Sequence, residues 1–256
     1  MPEPGNRIEV RAAPTGPRVP AAPATVARGD RLVAGYLRAI AAIVRKDLAA
    51  ELRSRELLGA MLVFSLLLIL IFNFALELDA RTRQTVTAGV LWSTFAFAGT
   101  LGLNRSMALE VDRGCLDGLL LAPVDRSALF FGKALGNLIF MLLVAATILP
   151  AYSALYNVNL FLPGLMGVVL LGSIGYVVVG TLLSSMAVQA RTRDILLPLL
   201  LFPVVLPVVI AAVRATSGLL QAVPPEEIRG WINLLIAYDV IFTAVAFMTF
   251  DYIVEE

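Results

Sequence analysis

The chain has 256 residues, of which 59% are hydrophobic and 15% are charged, and its formal net charge is +1. A soluble domain of this length would carry about 25% charged residues, so the composition excludes an ordinary water-soluble protein and indicates an integral membrane protein. The sequence has no histidine, which excludes imidazole metal sites, histidine-ligated haem and a histidine general base within this chain. The single cysteine, Cys115, excludes an internal disulfide and a CxxC redox pair.

The N-terminal region divides into two segments of different composition. Residues 1–34 are rich in Pro, Ala and Arg and lack an apolar period, which predicts a disordered cytoplasmic tail. Residues 35–56 predict an amphipathic helix, with Arg38, Arg45 and Lys46 on or beside the face opposite its apolar residues. This pattern fits a helix that lies in the membrane surface with its basic side chains toward anionic head groups. The alternative is a solvated helix that packs on the protein's own loops.

Residues 35–256 are predicted to form one membrane domain, in which six apolar segments follow the surface helix. Each segment is close to the roughly 20 residues that a helix needs to cross a bilayer. The predicted fold is therefore all-α, a polytopic membrane protein with six transmembrane helices. The approximate spans are 57–76, 85–103, 129–155, 160–188, 195–213 and 231–253.

The distribution of lysine and arginine predicts the orientation. With the N-terminus inside, 16 of the 20 basic residues fall in cytoplasmic segments and 4 in outer segments. Cytoplasmic loops carry an excess of these residues. Both termini and the polar segment 104–133 are therefore predicted to be cytoplasmic.

The fourth span carries two GxxG motifs, at Gly164–Gly167 and Gly172–Gly175. Small residues at this spacing let neighbouring membrane helices approach closely. The motifs therefore predict helix packing, and the alternative is that they line a substrate path.

Two later spans contain residues that are unusual inside a membrane. The fifth span holds Pro198, Pro203 and Pro207, which remove backbone donors and predict a kinked or broken helix that could line a cavity. The sixth holds Asp239, and a buried ionisable group in a membrane is a functional candidate. The alternative is that the last helix begins near Tyr238, which would place Asp239 at the outer interface.

Residues 104–133 form the longest polar interruption in the body of the chain, between the second and third spans. Glu110 and Arg113 are spaced to pair on a short helix, and Gly114 suits its C-terminal end. A following apolar patch fits a groove on a partner or, alternatively, packs on the protein's own helices. The predicted surface consists of Glu110, Asp112, Arg113, Gly114, Leu119, Leu120 and Pro123.

No motif for ATP binding or catalysis is present. Gly132-Lys133 ends like a P-loop, but the position five residues before Gly132 is Ser127 rather than glycine. Lys133 is instead predicted to snorkel to the cytoplasmic surface from the start of the third span. Without histidine, the chain has no Ser–His–Asp or Cys–His constellation. The chain is predicted not to be an enzyme, and ATP would be bound by a partner subunit.

These motifs carry a resemblance to a known family. The pattern from Glu110 and Gly114 through the leucines and Pro123 to Gly132-Lys133 is similar to that of type-2 ABC exporter permeases. Within that class, the chain resembles the CcmB family of cytochrome c maturation in three stretches. They are RKDLAAELRSRELL at 45–58, MLVFSLLLILIFNFA at 61–75 and LLPLLLFPVVLP at 196–207.

The resemblance implies a permease subunit in the bacterial inner membrane that works with a separate ATPase subunit, further membrane subunits and, indirectly, a periplasmic haem chaperone. It also implies a homodimer and an ATPase-docking role for the predicted surface and for the N-terminal helix. The complex would export haem or release the haem-loaded chaperone. No cofactor is expected to reside in this chain. The alternatives are export of another amphipathic substrate, such as a lipid-linked glycan or a drug, and a non-transporting assembly scaffold.

Overall fold

The computed structural model describes residues 26–75, 80–112, 126–187 and 193–253. These residues form helices almost throughout, and six of the helices are long and apolar enough to cross a membrane. The predicted all-α fold with six membrane helices is therefore confirmed. The helices are α1 (Val26–Ser54), α2 (Glu56–Ala75), α3 (Ala80–Asp112), α4 (Arg126–Tyr156), α5 (Pro163–Ala187), α6 (Arg193–Leu220) and α7 (Pro225–Ile253).

Four helices differ clearly from the predicted boundaries, and one of them is α3, which runs from Ala80 to Asp112 rather than from 85 to 103. Helix α1 begins at Val26, before position 35, and α6 continues to Leu220 rather than ending at 213. Helix α7 begins at Pro225 rather than at 231, because a proline suits the first position of a helix and two acidic residues in the first turn favour its N-terminus. Hydropathy missed these turns because they are too polar to belong to a span.

Helices α3 and α5 form the interior of the bundle. In each, 72% of the candidate span is buried, against 22% in α2 and in α7. Helix α5 packs on α3, α4, α6 and α7, whereas α1 packs on α4 and α2 at one end of the bundle. Any site in the middle of the protein is therefore built around α5.

Glycine allows α5 to occupy this central place. A Cβ atom on Gly172 would lie 2.8 Å from Cζ3 of Trp92, and one on Gly164 would lie 3.1 Å from Cδ2 of Leu219. Gly167 differs, because a Cβ atom there would meet nothing within 4 Å. The packing role predicted for the two GxxG motifs thus holds for three of their four glycines, including Gly175, and does not apply to Gly167.

Helix α6 is continuous through Pro198, Pro203 and Pro207, so these prolines do not break the span into two helices. Each proline removes a backbone N–H from the helix, which leaves carbonyl oxygens without their usual donors. The hydroxyl of Tyr238 on α7 donates to the carbonyl of Val204, in the turn between the second and third prolines, at 2.9 Å. A neighbouring side chain thus contributes a donor to the proline-rich part of α6.

Candidate functional site

The first candidate site is the contact between α1 and the first turns of α2 and α4, which we call the α1 seat. Here α1 lies against the ends of two membrane helices. The side chains on α1 come from one face at helical spacing. The seat consists of Tyr36, Ile43, Asp47 and Glu51 from α1, Leu58 from α2, and Ser127, Gly132 and Lys133 from α4.

Gly132 brings the two backbones of the seat close together. A Cβ atom at this position would lie 2.9 Å from Cβ and from Cγ2 of Ile43, which is buried. Because isoleucine is stiff at χ1 and both of these atoms are close to its backbone, the side chain cannot easily move away. One turn earlier on α4, the hydroxyl of Ser127 donates to the hydroxyl oxygen of Tyr36 at 3.1 Å.

A buried ion pair lies next to this glycine. The ammonium group of Lys133 is 3.0 Å from a carboxylate oxygen of Asp47, and only 8% and 11% of the two side chains are exposed. Lys46 reaches the same carboxylate, at 3.3 Å. The prediction that Lys133 snorkels to the surface is therefore wrong, because Asp47 provides a partner inside the protein. Burial makes the pair a specific contact, since neither charge can be left alone there without a large desolvation cost.

Glu51 connects α1 to α2. Its carboxylate accepts a hydrogen bond from the backbone N–H of Leu58 at 2.8 Å, which satisfies a donor in the first turn of α2. The two helices are separated only by Arg55, whose φ of 56° lies in the left-handed region. The junction is thus one residue long, and a side chain of α1 caps the helix that follows it.

The polar segment between the second and third spans begins at the same end of the bundle. Helix α3 continues to Asp112, so Glu110 and Asp112 belong to its last turns and not to a separate short helix. Arg105 on α3 joins this helical end to α2 through an exposed ion pair with Glu56 at 2.7 Å. The other predicted docking residues, Arg113, Gly114, Leu119, Leu120 and Pro123, lie outside the described part of the chain, as does Cys115.

The face of α1 that points away from the bundle is basic and apolar. Arg38, Arg45 and Lys46 are exposed, and so are Leu37 and Leu52, at 58% and 71%. The last two belong to the apolar face expected from the helical period, so the bundle buries a different and partly charged face of α1. This exposed face points away from the bundle, where lipid or a partner can contact it.

Sequence reasoning missed the α1 side of the seat. Asp47 and Glu51 are four residues apart in a helix that is otherwise basic, and this spacing places them on one face with Ile43. That pattern was the available signal. Hydrophobicity alone did not reveal the buried face of α1, because that face carries the charged side chains of Asp47 and Glu51.

The second region of interest is the middle of the bundle, where buried polar side chains are satisfied within the protein. The indole N–H of Trp92 donates to Oγ1 of Thr216 at 3.0 Å, and the amide of Asn137 donates to Oγ1 of Thr181 at 3.1 Å. Serine and threonine hydroxyls elsewhere in the spans bond to backbone carbonyls one turn earlier. These bonds hold helices together in a medium without water.

Asp239 is an exception to this pattern. It is only 8% exposed, and within the described residues neither carboxylate oxygen has a hydrogen-bond partner. The alternative in which α7 begins near Tyr238 is wrong, since α7 begins at Pro225, 14 residues before Asp239. Asp239 therefore lies deep in the helix and not at its outer end.

A small crevice lies between α2, α3, α4 and α5. Its lining includes Met61, Gly102, Asn137 and Met141, and its volume is about 10 Å³. That is close to the minimum space for one water molecule and far below the space that haem needs. In the described ranges, no cluster of three or more Cys, Asp or Glu residues is arranged to hold a metal ion. The crevice is therefore not a haem site in this conformation.

The fold and the site together define a multi-pass α-helical membrane protein in which a surface helix is built into the ends of the spans. A comparison with protein families gives a more specific assignment. The family model of the CcmB protein matches residues 38–254, which include α2 to α7 and most of α1. The chain belongs to the CcmB family, and with its six spans it is a multi-pass protein of the bacterial inner membrane.

Curated relatives agree with this assignment. The chain is 28% identical to the heme exporter protein B of Rhodobacter capsulatus over 196 residues, which cover 74% of this chain and 89% of the relative. It is 25% identical over 186 residues to the protein of the same name from Pseudomonas aeruginosa, covering 72% and 83%. The relative from Paracoccus denitrificans is 28% identical over 179 residues, covering 68% and 80%. The similarity therefore extends over most of the membrane domain.

Proposed function

We propose that this chain is the membrane permease of an ATP-driven complex that exports haem for cytochrome c maturation. The observation that carries the proposal is the CcmB family match, which spans the membrane domain from residue 38 to residue 254. The curated relatives, all named heme exporter protein B, support the same function. The sequence also lacks a P-loop, so ATP hydrolysis belongs to a partner ATPase subunit.

The α1 seat supports a mechanism for coupling. The partner ATPase contacts the predicted surface, Glu110 to Pro123, and the exposed basic face of α1. Movement of α1 then reaches α4 through the Asp47–Lys133 pair and α2 through Glu51. A buried ion pair and a one-residue junction suit this task, because both resist sliding of one helix on another.

Haem would cross along a surface shared with another subunit. The crevice inside the bundle has room for about one water molecule. Helices α2 and α7 are the least buried spans and have faces free for other chains. A complex with two copies of this chain and with the further membrane subunits of the maturation system would create a path between chains.

The function is tested by deleting the gene in its host and measuring c-type cytochromes by covalent haem staining. The wild-type gene should restore staining and respiratory growth. If haem staining is also restored when the partner ATPase carries an inactivating substitution, the proposal is contradicted and the scaffold alternative is supported. If the deletion strain keeps its haem staining but no longer exports another amphipathic compound, the alternative of a different substrate is supported.

Haem export and release of the haem-loaded chaperone are separated by following haem itself. In the wild-type complex, ATP should move haem to the periplasmic face even without the chaperone, which is the lumen of inverted vesicles supplied with ATP from outside and the outer side of right-side-out vesicles loaded with ATP. If ATP changes only the release of preloaded chaperone, haem export is contradicted and chaperone release is supported.

The docking role is tested with Glu110→Lys and Leu120→Asp. Each should reduce co-purification of the ATPase and lower haem staining, while membrane insertion stays normal. Glu226→Lys is the matched control, because this exposed acid lies at the opposite end of the bundle. Normal co-purification and staining in both docking variants would show that this segment does not bind the ATPase.

A further inference from the structure

Asp239 lies at the middle of the membrane domain. Fourteen residues of α7 precede it and fourteen follow it, so it is about 21 Å along the helix from either end. It faces Gly175, which has twelve residues of α5 on each side, and Val208, near the centre of α6. Three helices thus place this carboxyl group near the midplane of a hydrocarbon layer about 30 Å thick.

The space for the carboxyl group is created by Gly175. A Cβ atom at this position would collide with Oδ1 of Asp239, and it would lie 3.1 Å from both Cδ1 of Tyr238 and Cγ2 of Val208. The groups closest to this position are therefore the Asp239 carboxyl, a valine and a tyrosine ring. None of these groups offers a donor to a carboxylate, since the Tyr238 hydroxyl is bonded to the carbonyl of Val204.

Among the described residues, no charged group on a neighbouring helix faces the carboxylate. Helix α7 packs on α4, α5 and α6. Lys133 of α4 pairs with Asp47 at the α1 end, and the next titratable residue of α4 is Tyr152. Helix α6 has no titratable residue from 195 to 213.

Helix α5 also offers no counter-charge to Asp239. Its Tyr176 is bonded through its hydroxyl to Thr100 and to the carbonyl of Ala96, both on α3. Tyr176 therefore faces α3 and not the carboxyl group of Asp239. The remaining titratable neighbour is Tyr238, beside Asp239 on α7 itself, whose hydroxyl is already bonded to α6.

The neighbouring backbone favours a neutral acid over a carboxylate. A carboxylate is an acceptor only, whereas a carboxylic acid is also a donor. The prolines of α6 remove N–H donors from a helix that packs on α7 and leave carbonyl oxygens of that helix without their usual donors. Ser173 is the other buried side chain without a partner in the described residues, but a serine hydroxyl can rotate to the carbonyl one turn earlier in its own helix. A carboxylate cannot do this.

We propose that Asp239 is a proton-binding site at the centre of the membrane, formed by α5, α6 and α7. The bound proton keeps the acid neutral while α7 packs against Gly175. The ionised form does not fit the closed contact, so release of the proton requires α7 to separate from α5 and admit water. Proton exchange at Asp239 is therefore tied to a movement of α7. The inference depends on the packing of this chain and does not depend on the identity of the exported substrate.

The test is infrared spectroscopy of the purified protein in lipid nanodiscs across a pH series. At neutral pH, wild-type protein should show the carbonyl stretch of a protonated carboxylic acid, and Asp239→Asn should lose it. The matched control Glu226→Gln, which removes an exposed acid at the end of α7, should retain the band. A difference spectrum of wild type and Asp239→Asn that contains only carboxylate bands at neutral pH would overturn the proposal.

Two further measurements protect the test from a folding defect in the variant. When wild-type protein is labelled with ¹³C at the aspartate carboxyl, the carbonyl band should move to lower frequency. This shift assigns the band to an aspartate without any substitution. Gly175→Ala should shift or abolish the band, because the added methyl group collides with the carboxyl group, whereas Gly167→Ala should not. The assigned site would be contradicted if the carbonyl band of the ¹³C-labelled protein stayed at its unlabelled frequency. It would also be contradicted if Gly175→Ala showed the same band as wild type.

Discussion

The α1 end and the middle of the bundle use opposite means to hold helices together. At the α1 end, charged groups meet across helices, as Asp47 meets Lys133 and Glu51 meets the backbone of α2. In the middle, glycine lets Trp92 reach α5, and buried polar side chains of the described residues bond within the protein except at Asp239 and Ser173. The buried pair fixes α1 on α4, whereas the middle is held by close packing. This difference fits the proposed function, in which the α1 end receives the movement of the ATPase and the middle transmits it as a unit.

The largest expected effect is at the closest packing in the middle. Gly172→Ala places a methyl group inside the Trp92 ring, which is fully buried and held by Thr216. We expect a loss of about 3 kcal/mol in the free energy of unfolding, as for severe overpacking of a core. SDS-induced unfolding in bicelles measures this loss. The control Gly167→Ala should change it by less than about 0.5 kcal/mol, because that position is open. Equal stability of the two variants would contradict the role of Gly172.

The next effect concerns the buried ion pair of the α1 seat. Asp47→Leu leaves the ammonium group of Lys133 without its closest partner, and we expect a loss of about 2 kcal/mol. The double variant Asp47→Leu with Lys133→Met should recover at least half of this loss, since no unpaired buried charge remains. Thermal unfolding of the four proteins of the cycle measures the coupling energy. Strictly additive losses would show that the two side chains do not depend on each other.

Removing the Glu51 contact should have a smaller effect on stability and a larger one on coupling. Glu51→Ala deletes the acceptor for the backbone N–H of Leu58, and losses of helix caps are about 1 kcal/mol. In the assembled complex, ATP hydrolysis should continue while haem staining falls, because α1 no longer directs α2. Glu51→Gln retains an acceptor oxygen and should restore much of the staining. Wild-type staining in Glu51→Ala would exclude this route from α1 to α2.

The smallest effect is expected at the exposed ion pair of the same end. Arg105 and Glu56 are 2.7 Å apart, but 45% and 53% of their side chains are exposed. We expect Arg105→Ala to lower the free energy of unfolding by about 0.5 kcal/mol or less, and high salt should remove the difference. A loss as large as that of Asp47→Leu would mean that burial does not distinguish the two pairs.

Much of the fold was accessible from sequence because the membrane imposes it. Apolar segments of about 20 residues must be helical to satisfy their backbone in lipid, and this alone predicts six spans. The ends were less accessible, because the first turns of α7 are polar and only the Pro225 and Glu226 start signal marks them. The predicted docking segment remains a prediction, since most of it lies outside the described residues.

For the candidate sites, the sequence likewise revealed some residues but not the groups around them. Asp239 and Gly132-Lys133 were visible as unusual residues, but their surroundings were not. Lys133 was expected at the surface because sequence gives no view of Asp47, which is 86 residues away along the chain. Glu51 was overlooked because the hydrophobic period of α1 was read first, although its spacing of four residues from Asp47 places both acids on one face.

The sequence by itself determined the class of protein, the number of spans and the CcmB resemblance, because these depend on local hydropathy and on motifs that are contiguous in the chain. Only the tertiary structure decided which face of α1 is buried, that Lys133 pairs with Asp47, and that Asp239 faces Gly175 without a partner. The physical reason is that burial and pairing depend on which helix faces meet. In a membrane, where most faces are apolar, the hydrophobic pattern does not specify that choice.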